Sequence, residues 1–408
     1  GLRAEELAYR HTSNKSKPTR CKQSQRCFCH RRDVSEALSM SSLEASLKDP
    51  SRPTFLHGLT PPLDSTTPDA ARTIAAKFVA RSRVLASDGF IVYDIQDEPS
   101  RSGAERPYPF RQLMDSASYA AEVRAASGKE CLVYKCVNDA EFENWIRKAR
   151  AVHGHRCLNV VGRPSADGPA KGPTTKEAMA LVEKTSGVSF GCVCIPERHT
   201  DEYASQRGKA APGEHLNMLR KQQAGAEWFV SQAVYDPAPT IRLLRDYGDA
   251  CRAAGLTPCK VVLTFAPCGR AKTMTFLKWL GIRVPEEAER RILDAESPVD
   301  ESVALLCETL EKILDETQDC GVPLGVSVES VSIFRKEIDA VHELMRRTQA
   351  IALDKRGIKW RVVWEDAAAP SSSGVPFGPV AAVAALSAAV AAVVALAVAS
   401  VFLRAGAL

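Results

Sequence analysis

The sequence predicts an α/β fold: a (β/α)8 TIM barrel, preceded by a disordered polar tail and followed by a hydrophobic helix. Three observations predict it. Eight short runs of branched and aromatic residues recur between about residues 50 and 360. Amphipathic helical runs separate them. The turn after the first run reads "GLTPPLDSTTPD", without the G-x-G-x-x-G that a doubly wound nucleotide-binding sheet places there.

The strand candidates are "TFLHGLT" (54–60), "GFIVYDI" (89–95), "CLVYKCV" (131–137), "CLNVVG" (157–162), "SFGCVCIP" (189–196), "WFVSQAVYD" (228–236), "CKVVLTFAP" (259–267) and "LGVSVESV" (324–331). Each is bounded by Gly, Pro or polar turn residues. Among the helices, "DAEFENWIRKARAVHG" offers Asn138 or Asp139 as N-cap and Gly154 as stop. "FRKEIDAVHELMRRTQAIA" repeats Phe334, Ile338, Val341 and Met345 at helical spacing.

The ends differ from the middle. Residues 1–45 are polar and basic with little periodicity, as in a disordered tail or transit remnant. Cys21, Cys27, Cys29 and His30 cluster there, but their spacing matches no zinc pattern, and no metal ligand is singled out. Residues 46–365 form the barrel domain and 366–379 a linker. Residues 380–403 carry no charge and no proline, long enough to cross a bilayer and expected to act as a tail anchor with the barrel on the cytosolic side.

Composition narrows the class. Apolar content of 45% and charged content of 25% suit a folded core. A net charge of +5 excludes a global basic field for nucleic acid. Thirteen cysteines, odd in number and irregularly spaced, fit reduced thiols in an intracellular compartment.

In a barrel of this class, ligand groups sit at the C-terminal ends of the strands. Polar residues collect at those ends here: Thr60; Asp94, Gln96 and Asp97; Lys135; Arg163; Glu197 and His199; Gln232 and Asp236; Glu329. Gln232 lies in a run that reads as buried, so its amide needs an internal partner or a ligand. The internal alternative is a neighbouring side chain such as Lys135 or Ser327.

Over roughly residues 52–350 the chain resembles the methylenetetrahydrofolate reductase family of flavin-dependent barrels. "IPERHT" is similar to that family's Y-P-E-x-H-P segment after strand five. "HLNMLRKQQAGAEWFVSQAVYD" resembles its L-x-x-L-x-x-K-x-x-A-G-A-x-F-x-x-T-Q-x-x-F-D run. "GIRVP" matches its G-[VI]-x-[VI]-P, and Pro61-Pro62 matches the pair after strand one. The resemblance implies FAD across the barrel mouth, NAD(P)H as electron donor, a folate one-carbon adduct on the flavin, and a homo-oligomer as an open alternative. It implies that Gln232 binds the pterin ring and that His199, Glu214, Lys221 and Arg163 contact FAD, with Glu214 standing where the family has Asp.

The chain departs from the family where the acid chemistry lies. The family's Glu after strand one, thought to protonate the folate as its ring opens, is Gly58 here. Glycine does no acid chemistry. His57, Glu329 and Asp94 are the alternatives for that role. The aspartate of the family's R-G-D is absent from "VVGRPSADG", its Tyr beside the Pro-Glu is Ile195, and its folate-packing Phe aligns with Ala271. The expected function is FAD-dependent reduction of 5,10-methylenetetrahydrofolate or a related folate. The competing reading is a non-catalytic, membrane-tethered folate- or flavin-binding barrel. A third is an unrelated barrel that grips a phosphorylated metabolite through Arg270 and Lys272.

Overall fold

The computed structural model describes residues 42–355 apart from 99, 102–103 and 164–169. Eight parallel strands close into a barrel: β1 Phe55–Leu59, β2 Gly89–Val92, β3 Cys131–Cys136, β4 Cys157–Val161, β5 Ser189–Cys194, β6 Trp228–Ala233, β7 Lys260–Phe265 and β8 Leu324–Glu329. They follow chain order round the ring, with β8 pairing β1. Each of the eight expected strands is present, shorter by one to three residues at its end. The expected extensions, such as Ile195-Pro196, are the connections that leave the ladder.

The helices between them are α1 Ser42–Lys48, α2 Pro68–Ser82, α3 Ser116–Ser127, α4 Phe142–Ala151, α5 Thr175–Glu183, α6 Asp201–Gln206, α7 Glu214–Gln223, α8 Pro237–Ala253, α9 Ala271–Trp279, α10 Glu286–Leu293, α11 Pro298–Glu316 and α12 Arg335–Asp354. A two-stranded ribbon, Ser100–Arg101 with Ala104–Glu105, stands in the long connection after β2. Local sequence sets the boundaries. Thr174 and Glu177 form a capping box at the start of α5. Asp236 caps α8 by accepting from the Ala238 N–H, with Pro237 in its first turn. α4 starts at Phe142, later than Asn138 or Asp139. The Asp139 carboxylate instead accepts from the Glu141 N–H in the preceding turn.

Alternation sorts the strand residues. Phe55, Phe90, Val133, Leu158, Phe190, Phe229, Leu263 and Val326 face outward into the helical layer, where the larger core lies. The alternate residues face the lumen. Gly58 pairs with Ile91, Ile91 with Leu132, Leu132 with Cys157, and Cys157 with Ser189. This stagger stacks lumenal side chains in levels drawn from alternate strands. Tyr93, Val161 and Glu329 form the level at the mouth. Beneath them lie Gly58, Tyr134, Val193 and Thr264, then Ile91, Asn159, Val230 and Ser327, then Leu56, Leu132, Gly191 and Val262.

The opposite end is plugged. Leu43 and Leu47 of α1 are fully buried and pack with Leu56, Ile91, Leu132, Trp228 and Val262. Residues 42–45, expected in the polar tail, are therefore part of the barrel's floor. Two leucines in one short helix carry too little periodicity to stand out from a polar segment. Lys260 reinforces this end, donating to the carbonyls of Ser46 and Arg52 and to the Thr54 hydroxyl.

Among the described residues no helix is long and apolar enough to cross a membrane. The expected membrane segment, 380–403, the linker and the Cys21–His30 cluster all lie outside the described residues.

Candidate functional site at the barrel mouth

The mouth is unusually polar for a barrel lumen, where branched aliphatic residues normally dominate. Tyr93 continues β2 one residue past Val92, its N–H donating to the Leu59 carbonyl. Its ring packs edge-on against Tyr134 at 4.8 Å. Its hydroxyl is paired with the Glu329 carboxylate. Burial pushes Glu329 up to about 7, so the carboxyl keeps its proton near neutrality.

Gly58 makes this arrangement possible. A Cβ on Gly58 would meet the Tyr93 ring at 2.9 Å and the Glu329 Cβ at 3.0 Å. Gly58 and Glu329 are register partners on neighbouring strands. Where the resembled family carries its acid on β1, this chain has an empty Cβ position beside a glutamate on β8 whose pKa burial raises.

Of the other two alternatives for the acid, His57 lies outside the lumen, and Asp94, whose pKa burial raises, is bonded to β3. His57 faces the helical layer, its Nδ1 3.2 Å from the Ser82 hydroxyl and its ring 4.8 Å from Phe78. Burial drives its pKa down to about 3. Asp94 accepts from the Cys136 N–H at 2.8 Å, holding β2 to β3, with Lys135 4.0 Å away. Lys135 itself pairs with Asp139 at 2.5 Å.

Gln232 stands half-buried at the end of β6. A bulge between Val230 and Ala233 breaks the strand's alternation, so hydrogen bonding decides where the amide points. Its Nε2 donates to the Leu280 carbonyl at 2.9 Å. Neither Lys135 nor Ser327 is its partner. Leu280 follows α9, which meets the β2–α3 connection through Arg106, 4.9 Å over the Trp279 ring, and through Tyr108 against Phe276. Nearby, Glu197 has a carboxylate oxygen buried without a partner and is pushed up to about 7 by burial.

Below the mouth, Asn159 is fully buried with both amide atoms unpartnered, and the Thr264 hydroxyl is likewise unpartnered. Tyr93, Asn159 and Thr264 were not singled out in the sequence. The period-two spacing of Ile91 and Tyr93 was the available signal for the first.

Three of the residues assigned to FAD by resemblance, Lys221, Glu214 and His199, gather around the end of β5. Lys221 donates to the Val193 carbonyl at 2.7 Å. Glu214 is buried, accepting from the Ile195 N–H at 3.2 Å and from Asn217 at 2.9 Å. His199 is fully buried and bonds Asp246 of α8 at 2.8 Å. Arg163 stands half-buried past the end of β4. Lys221, Glu214 and His199 each have a protein partner. Arg270, offered for a phosphorylated ligand, stacks 3.3 Å over the Phe334 ring.

Comparison with solved structures bears on the fold and the family. An uncharacterised protein from Clostridium thermocellum that binds two copies of 5-methyl-5,6,7,8-tetrahydrofolic acid matches at 26% identity and a TM-score of 0.63, over 76% of this chain and 100% of its own. The chain resembles the methylenetetrahydrofolate reductase family as a diverged branch. Two further barrels align less closely. A dihydropteroate synthase from Xanthomonas albilineans has 14% identity and a TM-score of 0.37, covering 74% of this chain and 94% of its own. A GH113 β-1,4-mannanase has 14% identity and a TM-score of 0.42, covering 72% and 97%. No protein-family model and no curated protein matches the chain.

Proposed function

We propose that the chain binds a reduced folate carrying a one-carbon group, with the pterin ring at the barrel mouth between Gln232 and Glu329. The observation that carries this reading is the joint placement of an oriented amide and a protonated carboxyl at the strand ends. The likeness, over 76% of this chain, to a protein that binds 5-methyl-5,6,7,8-tetrahydrofolic acid supports it. Because Nε2 of Gln232 is committed to Leu280, its Oε1 is the end left to accept from the pterin N–H groups.

Glu329 then takes the acid's role. With a 5,10-methylene adduct, the bond from the bridging carbon to N10 breaks and its electron pair goes to N10. N10 takes the Glu329 proton, leaving an N5 iminium and a carboxylate that the Tyr93 hydroxyl stabilises. The protein's part is to hold that proton at neutral pH in a desolvated mouth. This reading ends at the folate and includes no flavin step.

Calorimetric titration with 5-methyltetrahydrofolate tests it. Saturable binding is expected, weakened about tenfold or more in Gln232→Leu because pterin polar groups lose their acceptor. No binding to the parent protein, or equal affinity in the variant, overturns it.

A further inference from the structure

His199 is the residue whose position the folate reading leaves unexplained. It follows the 3-10 turn Pro196–Arg198 and points between α7 and α8, away from the mouth. There it meets His215, from the first turn of α7, and Asp246, from the middle of α8.

We propose that His199, His215 and Asp246 form a divalent-metal site suited to zinc. Donor atoms of the three side chains all lie within 4.8 Å of one another. Two imidazoles and a carboxylate are a donor set zinc takes readily, with a fourth position left to water. Zinc bonds of 2.0–2.2 Å at tetrahedral angles place donors roughly 3.4 Å apart, so side-chain rotation of about 1 Å closes the set.

A plain His–Asp hydrogen bond accounts for only part of the cluster. It explains the 2.8 Å contact between His199 Nε2 and Asp246 Oδ2. It leaves the Nδ1 atoms of both histidines buried without partners, and it gives no role to His215, whose ring meets His199 edge-on at 4.9 Å. A metal at this cluster would engage the buried, unpartnered Nδ1 of His215. In the proposed step the metal replaces the hydrogen between His199 Nε2 and Asp246. That hydrogen passes to Nδ1 of the neutral imidazole, which frees the Nε2 lone pair for the metal bond with no net release of a proton.

The surroundings permit access. The Asp246 side chain is 41% exposed and borders a groove of about 380 Å³ shared with Arg242, Arg245, Lys312 and Glu316. Water reaches the fourth position from that side. Arg242 opposes the cation most directly, with Nε 3.9 Å from Asp246, although its Nη1 is held by Asp201 at 2.9 Å, and Arg245 and Lys312 line the same groove. Glu214, whose charge also acts on His199, favours it.

The test uses the full chain, stripped with chelator and titrated with Zn²⁺ by calorimetry and with Co²⁺ by absorption. One zinc at micromolar affinity or better is expected, with cobalt bands of nitrogen and oxygen ligation. His215→Ala and Asp246→Asn should each weaken binding about tenfold or more, and Arg242→Gln should strengthen it. Urea titration of each variant checks that the barrel is intact, and the exposed Asp246→Asn keeps the test sound if His215→Ala unfolds. Failure of the parent to bind zinc overturns the proposal. So does binding unchanged in both ligand variants, or a cobalt–thiolate charge-transfer band that survives them and so assigns the metal to cysteines.

Discussion

Gly58 and Glu329 face each other across the β1–β8 ladder, and the Cβ that Gly58 lacks would stand 3.0 Å from the Cβ of Glu329. The carboxyl of Glu329 and the ring of Tyr93 thus crowd the position where a side chain on Gly58 would stand.

Glu329→Gln should change how stability depends on pH. In the unfolded chain this carboxyl gives up its proton near 4.5, whereas in the fold it keeps it to about 7. Between those values the folded state holds the extra proton, so raising the pH across this window lowers stability. Glutamine removes that dependence, on the order of 2 kcal/mol at a mouth where solvent screens part of it. Glu197 adds a second loss over the same window. His57 and His155, pushed down to about 3 and about 4 by burial, act in the opposite sense, their contribution growing as pH rises towards 6.5. The difference between parent and Glu329→Gln in urea titrations from pH 4.5 to 8 isolates Glu329. A parallel pair of curves would mean that its carboxyl titrates normally.

Gly58→Glu should fail to restore an acid on β1. The new Cβ meets the Tyr93 ring and the Glu329 Cβ at 3.0 Å or less, and a second carboxyl would be forced beside the first. Overpacking of this kind costs about 1–3 kcal/mol. Tyr93→Ala made alongside it should recover part of the loss, because it empties the contested volume. Thermal melts of the single and double variants provide the check.

Lys221→Ala should cost stability. The lysine donates to the Val193 carbonyl at the end of β5, and a charge-assisted bond of this sort is worth about 1.5–3 kcal/mol. A lower urea midpoint without any change in the visible spectrum of the purified protein is expected. A flavin spectrum lost on substitution would return the residue to the cofactor role that the resemblance implies.

The eight strands were legible because branched and aromatic runs bounded by turn residues leave few alternatives, and the strand ends pointed to the mouth. Side-chain direction was not legible. Whether Glu329 or His57 faces the lumen turns on a single residue of register, which the β1–β8 ladder fixes and the sequence pattern does not. At Gln232 the bulge defeats the period altogether. The FAD assignments rest on a motif. Lys221 and Glu214 keep the family's spacing while bonding the backbone at the end of β5, and no spacing rule separates those two uses.

The last prediction concerns the plug. Leu43 and Leu47 are fully buried beneath the lumenal levels, against Leu56, Leu132 and Trp228. Truncating a buried leucine to alanine costs about 2–5 kcal/mol, depending on how far the site collapses. This site collapses poorly, because the surrounding strands are fixed by the closed ladder. Leu43→Ala and Leu47→Ala should therefore each fall in the upper part of that range, and their effects should be non-additive, since the two side chains share one cavity lining. A fragment starting at residue 46 discards Leu43 and most of α1, and should melt well below a fragment starting at residue 41. Equal melting of the two fragments would show that the barrel closes its own lower end and that α1 is only an appendage.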